Sequence, residues 1–175
     1  EPNGFIELGL APELVQAVAD LGYTQPTSVQ LKAIPLAMGS GNDSTSFIDL
    51  MVSSQTGSGK TAAFLLPVLH TLIQRQAAAE TEERAAFERA VAEAAARGEP
   101  APKRAKRKDP TNSRNFKAAT PGALILCPTR ELAQQVAHDA IDLVKHCRGL
   151  RVANVVGGMP YQLQIAKLQN ANLVV

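Results

Sequence analysis

Eight residues constrain this chain more tightly than any others: Ser54-Gln55-Thr56-Gly57-Ser58-Gly59-Lys60-Thr61. They follow a short apolar run, Phe47 to Val52, that reads as a strand. They precede a stretch of helical periodicity from about Thr61 to at least Gln74. Strand, glycine-rich turn and helix start in that order form a phosphate-binding loop. Polyphosphate needs several N–H donors pointing inward, and glycines let the chain curl tightly enough to supply them. The helix adds the positive end of its dipole. In this reading Lys60 sets a charge between the outer phosphates and the Thr61 hydroxyl ligates Mg²⁺, which bridges phosphate oxygens. The usual pattern is GxxxxGK[ST], and Ser54 stands where its first glycine belongs. Such a loop says "nucleoside triphosphate" and no more.

The rest of the chain supplies an α/β frame. Leu10 to Leu21 and Ser28 to about Met38 read as helices, with Pro12 in the first turn of one and Thr27 capping the other. Gly39 to Ser46 is a polar loop. Ala123 to Cys127, Val152 to Val156 and Leu173 to Val175 are continuously apolar strands, and helices over Glu131 to about Lys145 and Tyr161 to Gln169 separate them. Apolar strands alternating with helices predict a parallel sheet covered on both faces.

Composition excludes several classes. Apolar residues are 45% of the chain and charged residues 19%, which suits one globular domain. The net charge of +2 gives no global attraction to nucleic acid. Cys127 and Cys147 form no CxxC pair, so the default is a reduced, cytoplasmic setting without disulfide or zinc. No apolar run approaches the roughly 18 residues a membrane span requires, and no segment reads as a secretory signal. The opening at Glu1 and the close on a strand-like Leu173-Val174-Val175 read as a fragment.

Three further motifs carry a family resemblance. Gly22-Tyr23-Thr24-Gln25-Pro26-Thr27-Ser28-Val29-Gln30, with Phe5 twenty-five residues before Gln30, resembles the Q motif of DEAD-box RNA helicases. Pro128-Thr129-Arg130-Glu131-Leu132-Ala133-Gln134 matches that family's motif Ia almost letter for letter, and Val155-Val156-Gly157-Gly158 resembles its GG motif. The resemblance spans Phe5 to Leu72 and Ala123 to Val175, about two thirds of the chain. It implies an N-terminal RecA-like domain, with the Q motif at 5–30, the P-loop at 54–61, motif Ia at 128–134 and the GG motif at 157–158. The alanine- and arginine-rich style suggests a bacterial RhlE-like branch.

The resemblance implies roles residue by residue. Gln30 would read adenine, since an amide offers donors and an acceptor to its N6/N7 edge. Tyr23 would stack on the base, Gln25 would touch it through its backbone, and Phe5 accompanies them. Ser54 to Thr61 would hold the phosphates of ATP, with Lys60 and Thr61 the catalytic pair and Thr61 the Mg²⁺ ligand. Pro128, Thr129, Arg130, Gly157 and Gly158 would hold the RNA backbone, largely without regard to sequence. By themselves some of these residues read more simply: Gln30 as a glutamine in a first helical turn, Thr129 as a helix cap, Gly157-Gly158 as a turn.

Three departures from the family stand out. The loop from Gly39 to Phe47 is longer than usual. An insertion at 77–120 splits the domain: Ala77 to Gly98 is rich in Ala, Glu and Arg, and Pro100 to Thr120 carries seven Lys or Arg against Asp109, a local +6. That basic half reads as an RNA tether, a targeting patch or a solvated mobile loop. Finally, the 175 residues hold no DEAD or SAT segment and no second RecA-like domain. By resemblance those segments orient the attacking water and supply arginine fingers, and the strands between the phosphate-loop strand and Ala123–Cys127 are also missing. The expected function is the ATP- and RNA-binding part of a helicase, with little hydrolysis or stability of its own. The rivals are a DNA helicase or translocase of the same superfamily and a non-catalytic ATP- or RNA-binding module.

Overall fold

The computed structural model describes residues 3–39, 49–104 and 112–175. The chain runs α1 (Pro12–Asp20), α2 (Ser28–Met38), α3 (Lys60–Ala96), β1 (Ala123–Leu124), α4 (Arg130–Leu143), β2 (Val152–Ala153), α5 (Tyr161–Leu168) and β3 (Leu173–Val174). Short 3-10 turns cover Ile6–Leu8 and Ser113–Asn115. The three strands are parallel in the order β1-β3-β2. Ala123 pairs with Leu173 and Val152 pairs with the same residue from the other side.

Strand alternation places Leu173 and Val174 on opposite faces of the sheet. Leu173 joins the main core, built from Phe5, Leu14, Val18, Ile34, Leu65, Leu66 and Leu69 with α4 residues such as Val136 and Ala140. Val174 joins a smaller cluster with Ala153, Ala171 and Leu168. Apolar contacts on both faces explain why the strands read as unbroken apolar runs. This is the expected α/β architecture.

The strands are shorter than their apolar runs. Beyond the ladder Ile125 N–H bonds Val174 O, Val175 N–H bonds Ala153 O and Val155 N–H bonds Val175 O, while Leu126, Cys127 and Val156 lie outside the assigned strands. The predicted strand Phe47 to Val52 needs a larger correction. Phe47 and Ile48 lie outside the described residues, and Asp49 to Val52 joins no ladder. Leu50 and Val52 instead face Ile125 and Cys127 across an apolar cleft of about 640 Å³ floored by Ala63, Phe64 and Pro67. A strand is secured only by a partner, and no strand neighbours this segment among the described residues. Met51 is 100% exposed. Residues 40–46 of the polar loop also lie outside the described residues.

Helix ends follow local chemistry. Gly22, at φ +82, closes α1, with Gly22 N–H on Ala19 O and Tyr23 N–H on Val18 O. That turn sets Tyr23 and the segment after it against the N-terminal residues, where Gly4 N–H donates to Thr24 O at 2.9 Å and Asn3 Nδ2 to Tyr23 O at 3.2 Å. Helix α3 runs well past Gln74. It continues through the alanine- and glutamate-rich stretch to Ala96, because good helix formers follow one another until Gly98, at φ +70. There Glu99 N–H returns to Ala94 O at 2.9 Å. The helical half of the insertion is therefore an outward continuation of the phosphate-loop helix.

Candidate functional site

The site begins at α2. Thr27 caps this helix and forms a capping box with Gln30: Thr27 N–H donates to Gln30 Oε1 at 2.9 Å, and Gln30 N–H points at Thr27 Oγ1 at 3.4 Å. Both side chains then reach the glycine-rich loop. Thr27 Oγ1 donates to Ser58 O at 2.9 Å and Gln30 Nε2 to Gly59 O at 3.1 Å. Gln30 is 6% exposed and is the buried polar residue of the described core. Its burial is tolerable because both ends of the amide are bonded.

The loop itself is tightly wound. Gly57 and Gly59 have φ of +78 and +83, a backbone region that glycine enters without penalty. A Cβ on Gly59 would run into Gln30 Nε2. Ser54 Oγ bonds Ser58 Oγ at 2.6 Å across the loop. Lys60 Nζ donates to Gln55 O at 2.6 Å and also to Ser54 O. The ammonium is thus folded over the loop mouth. The first-turn N–H groups of a helix have no partner within it, so those of Lys60 and Thr61 add donors at the same spot. Donors, a cation and a helix N-terminus together fit a polyphosphate. Lys60 and Thr61 both line the apolar cleft.

Across that cleft lies the second half of the site. Thr129 caps α4, its Oγ1 accepting from Leu132 N–H at 3.2 Å. Arg130 is exposed and lies over the Gly157-Gly158 turn. A Cβ on Gly158, whose φ is +88, would come within 3.5 Å of Arg130 Nη1. Pro128, Thr129, Gly157 and Gly158 are exposed beside it. Both halves sit past the carboxyl ends of the strands, where parallel sheets place their ligands.

One predicted residue differs from its assignment. Phe5 is 1% exposed and belongs to the core, so it has no free face for a nucleotide and acts by anchoring the N-terminal segment. Gln25 abuts Gly4, where a Cβ would meet its amide, while Tyr23 is 54% exposed and open to a stacking partner. The tie from Thr27 to the loop was not foreseen; its signal is the T-x-x-Q spacing of Thr27 and Gln30. A further unforeseen cluster joins Lys145 and His146 to Asp20 at 2.8 and 2.7 Å. Hydrogen bonds from Lys145, His146 and Gln16 hold the Asp20 carboxyl well below the usual carboxylate range. Burial pushes the Cys147 thiol up to about 11, with Glu13 adding to it, which leaves it protonated and inert. Among the described residues no His, Cys, Asp and Glu group could hold a metal ion, and no helix is long and apolar enough to cross a membrane.

A family model for the DEAD/DEAH box helicase matches residues 27–175, which takes in the loop, the Thr129 corner and the glycine turn together. The chain belongs to the DEAD/DEAH box helicase family. Among curated DEAD-box relatives, the ATP-dependent RNA helicase DeaD of Buchnera aphidicola is 32% identical over 98% of this chain. This chain spans 20% of that protein's length. The structure of the RNA helicase Prp28 from Chaetomium thermophilum bound to ADP has a TM-score of 0.61 at 31% identity, covering 96% of this chain and 30% of Prp28. The structure of a Dbp5 variant from S. cerevisiae bound to RNA and ADP BeF3 has a TM-score of 0.61 at 25% identity, covering 99% of this chain and 31% of Dbp5. DEAD-box domains of RecA-like fold are therefore what this chain resembles in both sequence and shape.

Proposed function

We propose that this chain is the ATP-binding and RNA-backbone-binding part of an ATP-dependent RNA helicase. The observation that carries the reading is the bond from Gln30 Nε2 to Gly59 O, which joins the base-reading glutamine to the phosphate loop in one cleft wall. Gln30 keeps a second amide hydrogen and a second oxygen lone pair for the adenine edge. Tyr23 offers its exposed ring, and the amides from Ser54 to Thr61 cradle the phosphates. The ADP held by Prp28 and the RNA and ADP BeF3 held by Dbp5 support the same ligands here.

Phosphate oxygens compete with the carbonyls of Ser54 and Gln55 for the Lys60 ammonium, so nucleotide entry opens the loop. Mg²⁺, when bound at Thr61, would neutralise charge between the outer phosphates. Arg130, held over Gly157-Gly158 and beside the α4 N-terminus, grips an RNA phosphate without reading bases. By resemblance, in-line attack needs a DEAD segment and a second RecA-like domain, neither of which is among these 175 residues, so this chain binds ATP but scarcely hydrolyses it. The apolar cleft between Leu50 and Ile125 is where further strands of the parent would pair. A cytoplasmic, bacterial RhlE-like parent that opens short RNA duplexes completes the proposal.

The test is nucleotide selectivity. The wild-type chain should bind ATP well above GTP, and Gln30→Ala should erase the preference. Equal binding of ATP and GTP by the wild type would refute the assignment of Gln30. Competition of single-stranded RNA against DNA of the same length separates an RNA helicase from the DNA-acting alternative.

A further inference from the structure

The insertion at 77–120 is segregated by charge. Its helical arm, residues 77–99, carries six glutamates against three arginines. Those arginines are largely engaged with the arm's own acids: Arg89 meets Glu82 at 3.0 Å, and Arg97 meets Glu93 at 3.6 Å and Glu99 at 3.9 Å. The return path after Gly98 is different. Lys103, Arg104, Arg114 and Lys117 are all exposed, and none takes part in an ion pair among the described residues.

Two of these residues are nonetheless held in place. Arg104 stands 5.0 Å from the centre of the half-buried Phe87 ring on the arm. At the other end Gln169, just past α5, holds the backbone of Lys117 from both sides: Lys117 N–H donates to Gln169 Oε1 at 3.0 Å, and Gln169 Nε2 donates to Lys117 O at 3.1 Å. The backbone is tied down at Lys117, while the side chains of Lys103, Arg104, Arg114 and Lys117 are exposed. Exposed cations with no acidic partner among the described residues, beside a backbone fixed at Lys117, can grip a polyanion at a reduced ordering cost.

Position narrows the ligand further. At about 1.5 Å per residue, α3 carries the arm several tens of ångströms from Lys60. The return path re-enters at the start of β1, the end of the sheet opposite Thr129 and Arg130. A ligand that meets both Arg130 and this surface must be a long polyanion. We infer that Lys103, Arg104, Arg114 and Lys117 form a second RNA-backbone contact that holds single-stranded RNA flanking the segment gripped at Arg130. The inference rests on the proposed RNA binding of the Arg130 corner. Linking the two contacts through one strand raises local concentration, so each strengthens the other.

The experiment uses the full-length protein and two single-stranded RNAs, of about 10 and about 40 nucleotides, titrated at several salt concentrations. The variant Lys103→Ser/Arg104→Ser/Arg114→Ser/Lys117→Ser should bind the short RNA like wild type. It should bind the long RNA at least about tenfold more weakly, with a log–log salt slope shallower by about 3, the value for four phosphate contacts on a single strand. The triple variant that keeps Arg104, and with it the stack on Phe87, should show about three quarters of that slope change. An unchanged slope for the long RNA in both variants overturns the inference. So does a variant that keeps RNA affinity but loses binding of polyglutamate, since the surface would then dock an acidic protein. If wild type binds neither RNA, the underlying reading falls with it, and Arg130→Ala supplies the reference: loss of short-RNA binding there, with an unchanged slope in the arm variants, defeats only the second contact.

Discussion

Gln30 donates its side-chain amide to the carbonyl of Gly59 at 3.1 Å, so the first turn of α2 and the last glycine of the phosphate loop move as one unit. The same glutamine closes the capping box with Thr27. One side chain therefore serves helix start, loop shape and, in the proposed function, base choice.

Replacing Gly59 should damage the loop twice. Alanine there would be forced to φ +83, and its Cβ would strike Gln30 Nε2. Gly59→Ala should lose about 1–3 kcal/mol of stability and weaken ATP binding by about tenfold or more. Thermal melts and nucleotide titration read the two effects, and wild-type affinity in this variant would show that the loop is not held by Gln30.

Gln30→Glu tests the polarity of the same contact. A carboxylate cannot donate to Gly59 O, so two acceptors would face each other in a buried site. The expected cost is about 1–3 kcal/mol, shown as a lower denaturant midpoint. A variant as stable as wild type would mean that the amide bond contributes nothing.

Gly158→Ala separates the two halves of the site. The new methyl would sit about 3.5 Å from Arg130 Nη1, on a backbone at φ +88. RNA affinity should fall while ATP binding measured without RNA stays as it was. Filter binding and nucleotide titration on the same preparation suffice, and a parallel loss of ATP binding would contradict the division.

His70 makes the fold acid-sensitive. Its Nδ1 accepts the Ala11 N–H at 3.0 Å, which requires the neutral ring, and burial lowers its pKa from the ordinary 6.5. A depressed folded pKa means that the stabilisation is complete above 6.5 and is lost as pH falls through the folded value. Stability should therefore decline as pH falls below 6.5. His70→Asn keeps an acceptor that does not titrate and should flatten that decline; an identical profile in chemical denaturation would exclude His70 as its source.

The isolated 175-residue chain should melt early. Leu126 is 85% exposed and the cleft beside it is lined by Leu50, Val52 and Phe64. Apolar surface of this kind stabilises only when covered. A broad transition below about 50 °C is expected, and a sharp one well above it would show that the cleft closes on its own.

Much of the site was legible because its chemistry is local. A glycine loop between a strand-like run and a helix, a capped α2 and a Pro-Thr-Arg-Glu corner are each written in consecutive residues. Strand pairing was less legible. Asp49 to Val52 has the composition of a strand but joins no ladder, since a ladder depends on a neighbour that composition does not name. Phe5 has the spacing to Gln30 that the family resemblance implies, but spacing says nothing about burial, and its ring lies in the core.

What the amino-acid order determined by itself is the set of local devices: the helix caps, the glycine-rich turns, the apolar runs and the start of the helix behind the phosphate loop. Each depends on backbone preference within a few residues. Only the tertiary structure decided that Thr27 and Gln30 clasp Ser58 and Gly59, that Arg130 rests on Gly157-Gly158, and that Gln169 holds the backbone of Lys117. Those relations join residues distant in the chain, and they exist because burying apolar faces on both sides of β3 brings the helix ends to the same edge of the sheet.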